Sequence, residues 1–363
     1  MKLRTKVLVV GGGPAGATAA RFLAEGGVDV ILLERDSSFV KPCGGGVPSS
    51  AFDEFSIPKS VVKKEVKSIK IVSPMGERLD IEFKGVYLAI VERGEFDNAL
   101  REMAEKSGAR LIEGEFVRFI DDKPYKVEAN VGEVKAEIVS EYVIAADGVN
   151  SRVRTALSIK PTCTLFTISE RIKGVKTGVC EFWFGSSHAP CFYSWVFPKS
   201  DGISAGTGGS EPKEIRTLLE KFKERSGITS DGVVKIYRIP VWKGDLFNKG
   251  KILFVGDCAG QVMPLSHEGI YYAMKSGEYA ARAIIEEKAD NYKRVWKARF
   301  QKRFALMDKL RDYFLKDDIS AERLVALHRR PEVQEASMRL WLRKDSSKEG
   351  LLSYMRLFGK FLS

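Results

Sequence analysis

The stretch VLVVGGGPAGATAA, residues 7 to 20, limits what this chain can become more than any other. Four apolar residues run directly into Gly11, Gly13 and Gly16. Pro14 to Glu25 then has helical spacing, and a second apolar run extends from Asp29 to Leu33. Strand, glycine turn, helix and strand in that order predict a βαβ unit beginning at Lys6. Each glycine has its own reason in such a unit: Gly11 permits the tight turn, Gly13 lets a pyrophosphate approach the backbone, and Gly16 lets the helix lie on the sheet. The helix N-terminus adds unpaired amides and the positive end of its dipole. Glu34 stands 18 residues beyond Gly16 at the end of the second run, where a carboxylate accepts hydrogen bonds from ribose hydroxyls. The unit is therefore read as a dinucleotide site rather than a plain glycine turn.

Two later segments decide which dinucleotide. VIAADGVNSRVR (143 to 154) places Asp147 and Gly148 after an apolar strand, with Ser151 and Arg154 behind them. ILFVGDCAGQVMPLSHEGI (252 to 270) places Gly256 and Asp257 after another strand, then a loop containing Pro264 and a helix start at Gly269 and Ile270. A strand-end aspartate binds a ribityl hydroxyl. A helix N-terminus stabilises the negative charge that gathers at the N1/O2 edge of a reduced flavin. Singly, either is an ordinary turn; together with the glycine fingerprint they point to FAD. No second glycine fingerprint is present, so no separate NAD(P)H domain is expected.

With those elements in view, the chain resembles the FAD-binding fold of aromatic hydroxylases of the para-hydroxybenzoate hydroxylase type, and within it the geranylgeranyl reductase family. The resemblance covers about residues 5 to 290. It rests on GGGPAG (11 to 16, with Pro14 and Ala15), Glu34-Arg35, VERGEFDNAL with Arg93 and Asp97, AADGVNSRVR and GDCAG. Two motifs point to the reductases in particular: KPCGGGVP (41 to 48), and FYSWVFPK (192 to 199), which is similar to their aromatic YxWxFP signature. The resemblance implies that Glu34 binds the adenosine ribose, Arg93 contacts the cofactor, Asp257 holds the diphosphate-ribityl region and Val117 lies near the adenine. It further implies that Lys41 to Val47 runs along the flavin, with Gly44, Gly45 and Gly46 letting the backbone lie close and Cys43 near the reacting edge. Spacing alone reads that segment as a glycine turn with an incidental cysteine. Tyr193, Trp195 and Phe197 alternate, so they share one face of a strand. They are sheet core on pattern alone; the resemblance makes them, with Pro198, the lining of an apolar tunnel for a polyprenyl chain. His267 departs from the family, whose members often carry glycine or another small residue there; it is read as a proton donor or as a cap for the next helix.

The fold expected is α/β, a Rossmann-like FAD-binding domain interleaved with a β-sheet substrate domain, followed by C-terminal helices. The FAD domain takes 1–65, 91–160 and 245–290, the β-rich layer 66–90 and 161–244, and the basic helical region 291–363. Arg110 to Phe119 is expected as one strand. No apolar run approaches the ~18 residues of a membrane span, and five cysteines without CxxC spacing argue against a disulfide framework or a metal site and for the cytoplasm. The net charge of +11 belongs mainly to the tail: from residue 291 on there are 18 Lys plus Arg against 9 Asp plus Glu, while residues 1–290 carry 41 against 39. Near-helical stripes at Tyr292, Trp296, Phe300, Phe304 and Met307, and at Leu351, Leu352, Met355, Phe358 and Leu362, either pack on the body or touch a membrane surface. No nucleic-acid recognition motif accompanies them.

The reaction expected is reduction of isolated C=C bonds in a polyprenyl lipid or prenyl diphosphate, with hydride from reduced FAD and a proton from Cys43, His267 or water. Ferredoxin, NAD(P)H or a quinol is the external electron donor. A flavin monooxygenase or halogenase and a membrane-surface quinone-linked dehydrogenase are the alternatives on the same fold.

Overall fold

The computed structural model describes residues 1–345 and 347–358. The chain forms two compact units, each assembled from three separated segments.

The first unit takes Met1–Val40, Gly94–Thr164 and Ile239–Lys302. Its sheet has eight strands among the described residues, five of them parallel in the order Ile252–Phe254, Val134–Ala145, Lys2–Val10, Val30–Glu34 and Arg110–Glu113. Asn248–Lys249 closes one edge. Tyr125–Val131 and Glu115–Asp122 extend from the long central strand as antiparallel ribbons. Val7, Leu8 and Val9 are fully buried, as an unbroken apolar run in a parallel sheet covered on both faces requires. The helix Pro14–Glu25 has Pro14 in its first turn, and it packs against Ile270–Ile285 so closely that a Cβ on Gly277 would stand 2.2 Å from the Ala15 carbonyl oxygen. The single strand expected over 110–119 is two. Gly114 breaks it, because its amide bonds the Glu34 carbonyl at 2.7 Å and a side chain there would meet the Asn130 carbonyl.

The second unit takes Lys41–Arg93, Leu165–Arg238 and the chain from Arg303 on. A seven-stranded sheet runs Val233–Pro240, Thr164–Lys173, Gly202–Gly209, Ser194–Pro198, Cys180–Trp183, Ser68–Val72 and Arg78–Glu82. Gly46–Pro48, Leu88–Val91 and Val62–Val66 make a small antiparallel sheet. The helix Ile215–Ser226 lays Leu218, Leu219 and Phe222 onto Ile168, Trp183 and Val196 of the larger sheet. This unit takes in residues 41–65 and the helices after 303, which sequence reasoning grouped elsewhere. The reasons are strand pairing and long-range bonds: Gly46–Pro48 pairs with Leu88–Val91, the Ser50 hydroxyl donates to the Leu342 carbonyl at 2.7 Å, and Arg329 pairs with Glu77 at 2.6 Å.

The first aromatic stripe of the tail is buried throughout, from Tyr292 to Met307. In the last helix, Lys348–Phe358, Phe358 is buried and Leu351 half-buried, while Leu352 and Met355 are exposed. Leu362 lies outside the described residues. Among the described residues, no helix is long and apolar enough to cross a membrane.

A closed polar triangle sits inside the second unit. His188 Nδ1 shares a 2.7 Å bond with the Ser194 hydroxyl, which donates to Thr207 Oγ1 at 2.8 Å, and that hydroxyl donates to the His188 carbonyl at 2.6 Å. Burial, helped by the Arg225 charge, pushes the His188 imidazole down from 6.5 to about 4. The unfolded chain therefore binds a proton that the folded one refuses, and stability present above pH 6.5 is lost as the pH falls toward 4. Burial depresses His328 too, in the same direction. The His188 contribution is on the order of 3 kcal/mol. Thermal unfolding from neutral pH to pH 4 should fall more steeply in the wild type than in His188→Gln; identical slopes would refute the assignment.

Candidate functional site

The register of the parallel strands brings the separate motifs of the first unit to one edge. Val10 is level with Leu33 and Ala145, and Ala145 is level with Phe254. The segments that leave these strands, Gly11 onward, Glu34, Asp147-Gly148 and Gly256-Asp257, therefore emerge side by side at the carboxyl ends. The chain turns in opposite directions from the central strand at this point, which is where open α/β sheets form their ligand crevice.

Gly11 has φ +101, and a Cβ on it would lie 2.5 Å from the Ala146 carbonyl oxygen. A Cβ on Gly16 would lie 1.8 Å from the Gly11 oxygen, so any side chain there separates helix from turn. Gly13 caps the helix, and a Cβ on it would meet nothing within 4 Å. That open space over unpaired helix amides, with no acidic residue in the first turn, fits a diphosphate. The Glu34 carboxylate accepts from the amides of Gly12 and Asp36. These two bonds fix its orientation and leave lone pairs for a ribose. Arg101, buried and with no signal in the sequence pattern, donates to the Gly12 and Ser37 carbonyls at 3.4 and 3.0 Å; its Nε has no hydrogen-bond partner among the described residues.

Asp147 accepts from the Val153 amide at 3.0 Å, and Ser151 caps the short helix Arg152–Ala156 by accepting from Arg154. Arg154 ties this corner to the next motif by donating to Thr162 Oγ1 and the Cys258 carbonyl. Gly256, with φ +60, packs on Ala15, and its amide is held by Gln261 and Ser276. Gly269 caps the helix that begins at Ile270, and a Cβ on it would stand 3.5 Å from Asp257 Oδ1. His267 has φ +51, and its amide bonds the Met263 carbonyl at 2.9 Å. Glycine takes that left-handed conformation without cost, whereas a histidine holds it under strain. Arg35 lies at the surface, paired with Glu115 at 3.5 Å, and Val117 is half-buried on the strand Glu115–Asp122.

In the second unit, the glycines of KPCGGGVP meet two side chains of FYSWVFPK. Cβ atoms on Gly44 and Gly46 would stand 2.6 and 3.1 Å from the Phe197 ring. One on Gly45, at φ +78, would stand 2.5 Å from Lys199 Nζ and 2.4 Å from the Val91 carbonyl. The bare backbone is thus required by contacts within the unit. Val47 is fully buried in the small sheet. Cys43 is half-buried with the Arg93 guanidinium 3.7 Å from its sulfur. Tyr193, Trp195 and Phe197 form one aromatic array: Phe182 lies 5.4 Å from Tyr193, 5.3 Å from Phe197 and 5.7 Å from Trp341, and Tyr193 lies 6.5 Å from Trp195. Trp195 and Phe197 are buried, as is Pro198 on the same strand. The thiols of Cys180 and Cys258 are buried and pushed up by that burial, which leaves them inert.

Two glycines separate binding from folding. Gly13→Ala should leave the stability of the flavin-free protein within about 1 kcal/mol and weaken FAD retention about tenfold. Gly16→Ala should cost about 3 kcal/mol or more by overpacking. Flavin absorbance per protein and thermal melts read both, and an FAD-replete Gly13→Ala protein would remove the diphosphate from this helix end. His267→Gly should melt within about 1 kcal/mol of the wild type, whereas His267→Val should fall well below it.

The profile of the "FAD binding domain" family matches residues 4–291. A geranylgeranyl diphosphate reductase of Rhodobacter capsulatus is 32% identical over 388 aligned positions, spanning 99% of this chain and 97% of that protein. A digeranylgeranylglycerophospholipid reductase of Methanocaldococcus jannaschii is 30% identical over 80% of this chain and 82% of its own. Among solved structures, a geranylgeranyl bacteriochlorophyll reductase-like protein of Thermoplasma acidophilum superposes with a TM-score of 0.85 over 99% of both chains at 24% identity, a likeness of fold. An open helix end for a diphosphate, an oriented carboxylate at the second strand and full-length similarity converge: the chain binds FAD and belongs to the geranylgeranyl reductase family of FAD-dependent oxidoreductases.

Proposed function

We propose that this chain reduces isolated carbon–carbon double bonds in a polyprenyl chain carried by a diphosphate or a glycerophospholipid. The observation that carries the reading is the aromatic array of Phe182, Tyr193, Trp195 and Phe197 in the same unit as the half-buried thiol of Cys43. A prenyl substrate offers area and almost no hydrogen bonds, which aromatic rings match. Bound and reduced, FAD supplies a hydride.

The residues of the chain supply the rest. An isolated alkene is not polarised by a carbonyl, so a proton must arrive as the hydride does. Cys43 is the proposed acid: its S–H bond breaks, a C–H bond forms, and the thiolate regains its proton from water. Arg93 holds the sulfur in place. The aromatic rings shield the positive charge that develops on the more substituted carbon, and the face of a ring is itself attractive to a cation. His267 is the second candidate acid. Glu34, Asp147, Gly148, Gly256, Asp257 and the amides at Gly13 are assigned to holding the cofactor. Ferredoxin, NAD(P)H or a quinol is proposed as electron donor. Exposed Leu352 and Met355, on a basic tail, are proposed to rest on the inner face of a membrane from which the substrate is drawn.

The test is anaerobic. The flavoprotein is reduced with dithionite, freed of excess reductant and given a geranylgeranyl lipid. Flavin reoxidation together with a two-hydrogen mass gain in the lipid is expected. A flavin that stays reduced until oxygen or a quinone is added would overturn the reading in favour of a monooxygenase or a quinone-linked enzyme. Cys43→Ser should slow single-turnover reduction about 100-fold at unchanged flavin content; undiminished turnover would remove Cys43 from the chemistry.

A further inference from the structure

Lys199 closes the aromatic motif and was given no role by sequence reasoning. Its side chain is 4% exposed, an uncommon state for a lysine without a full ion pair. The ammonium donates to the Val91 carbonyl at 3.1 Å and lies 3.8 Å from Glu92 Oε2. Glu92 is mainly engaged elsewhere: Arg171 donates to it twice, at 2.9 and 3.2 Å, and the Ser200 hydroxyl once, at 3.0 Å. These cations outweigh its burial and hold the Glu92 carboxyl below its ordinary range.

The thiol segment is shaped around this ammonium. The Val91 amide bonds the Gly45 carbonyl at 2.9 Å, which ties residues 41–48 to the same Val91 whose carbonyl accepts from Lys199. Gly45 leaves the room that Nζ occupies. Four charged or titratable groups act on Lys199 besides burial, the largest influence, which lowers its pKa: Cys43 and Glu92 raise it, and Arg171 and Arg93 lower it. Cys43 thus lies 3.7 Å from the Arg93 guanidinium and two residues from Gly45, against which the buried ammonium is packed.

We propose that Lys199 is a positioning residue for the chemistry at Cys43: its ammonium, lodged beneath Gly45, supplies the counter-charge for the thiolate left when Cys43 gives its proton to the alkene. The alkene gains a hydride from reduced FAD and a proton from the thiol, no other atom changes hands, and the thiolate is reprotonated by water. A half-buried thiolate loses part of its hydration, and a second cation nearby offsets that loss. The lysine does so at the moment the charge appears. The inference rests on the role given to Cys43 above and extends it to a residue outside the reacting set.

The test reads charge at Cys43 without depending on turnover. Iodoacetamide captures thiolates, so the alkylation rate of the Cys43 peptide at neutral pH is followed by mass spectrometry in the FAD-loaded protein, with exposed Cys163 as internal reference. Lys199→Met should slow Cys43 about tenfold, and Glu92→Gln, which removes the opposing negative charge, should speed it about threefold. Loss of packing would move both variants the same way, so opposite signs identify the electrostatic role. An unchanged rate in Lys199→Met, or a shift of both variants in one direction, would overturn the inference. Prenyl reduction is measured separately: if the wild type reduces no prenyl lipid, the functional reading fails, and the alkylation pattern still decides whether Lys199 governs Cys43.

Discussion

Everything at the first unit's ligand edge depends on one close approach, that of Gly16 to the Gly11 carbonyl. The helix Pro14–Glu25 can begin where it does only because no side chain stands at Gly16, and its far face is held by an equally bare contact at Gly277. With the helix fixed between turn and neighbouring helix, its N-terminal amides open at Gly13 onto space that no side chain fills. The parallel register then sets the other motifs level with them. Val10, Leu33, Ala145 and Phe254 are aligned across four strands, so residues far apart in sequence leave the sheet at the same height. A slip in any of these pairings would displace a whole motif, since its position is inherited from its strand.

Much of that unit was legible beforehand, because its motifs are local. A strand, a glycine turn and a helix occupy one short stretch, and the helix was read at its observed bounds, Pro14–Glu25. The aspartates and glycines of the later segments likewise follow strands that apolar runs announce. Arg101 was not legible. Nothing in the helix Arg93–Lys106 distinguishes it from its exposed neighbours until folding sets it beside the Gly12 and Ser37 carbonyls. Nor was the division of residues 41–65, whose allegiance follows from a three-residue strand, Gly46–Pro48, too short to show periodicity.

The glycines of KPCGGGVP show a different limit. Resemblance assigned them to a cofactor, and local spacing to a flexible turn. The folded chain gives them partners that neither reading contained, the Phe197 ring and the Lys199 ammonium. These partners lie about 150 residues away along the chain, and sequence carries no direct trace of such an encounter. The two motifs that most resemble the reductases are thus a single packed object: one brings the bare backbone and the other the ring and charge that require it. Substituting either alone leaves its counterpart without a fit.

The aromatic array also draws on Trp341, far toward the C-terminal end, and the first unit needs its strand at Ile252–Phe254 and the helix after it. The first unit cannot close until the chain has been made as far as Lys302, and the second waits for the segment after it. Residues 41–93 and 165–238 must wait longest, partly structured, with apolar strands uncovered, for partners not yet synthesised. Such a chain has a long window of exposure to aggregation and a strong need for chaperones during synthesis. Its yield in a foreign host should therefore depend on translation speed and holdase supply more than on the final stability of the native state.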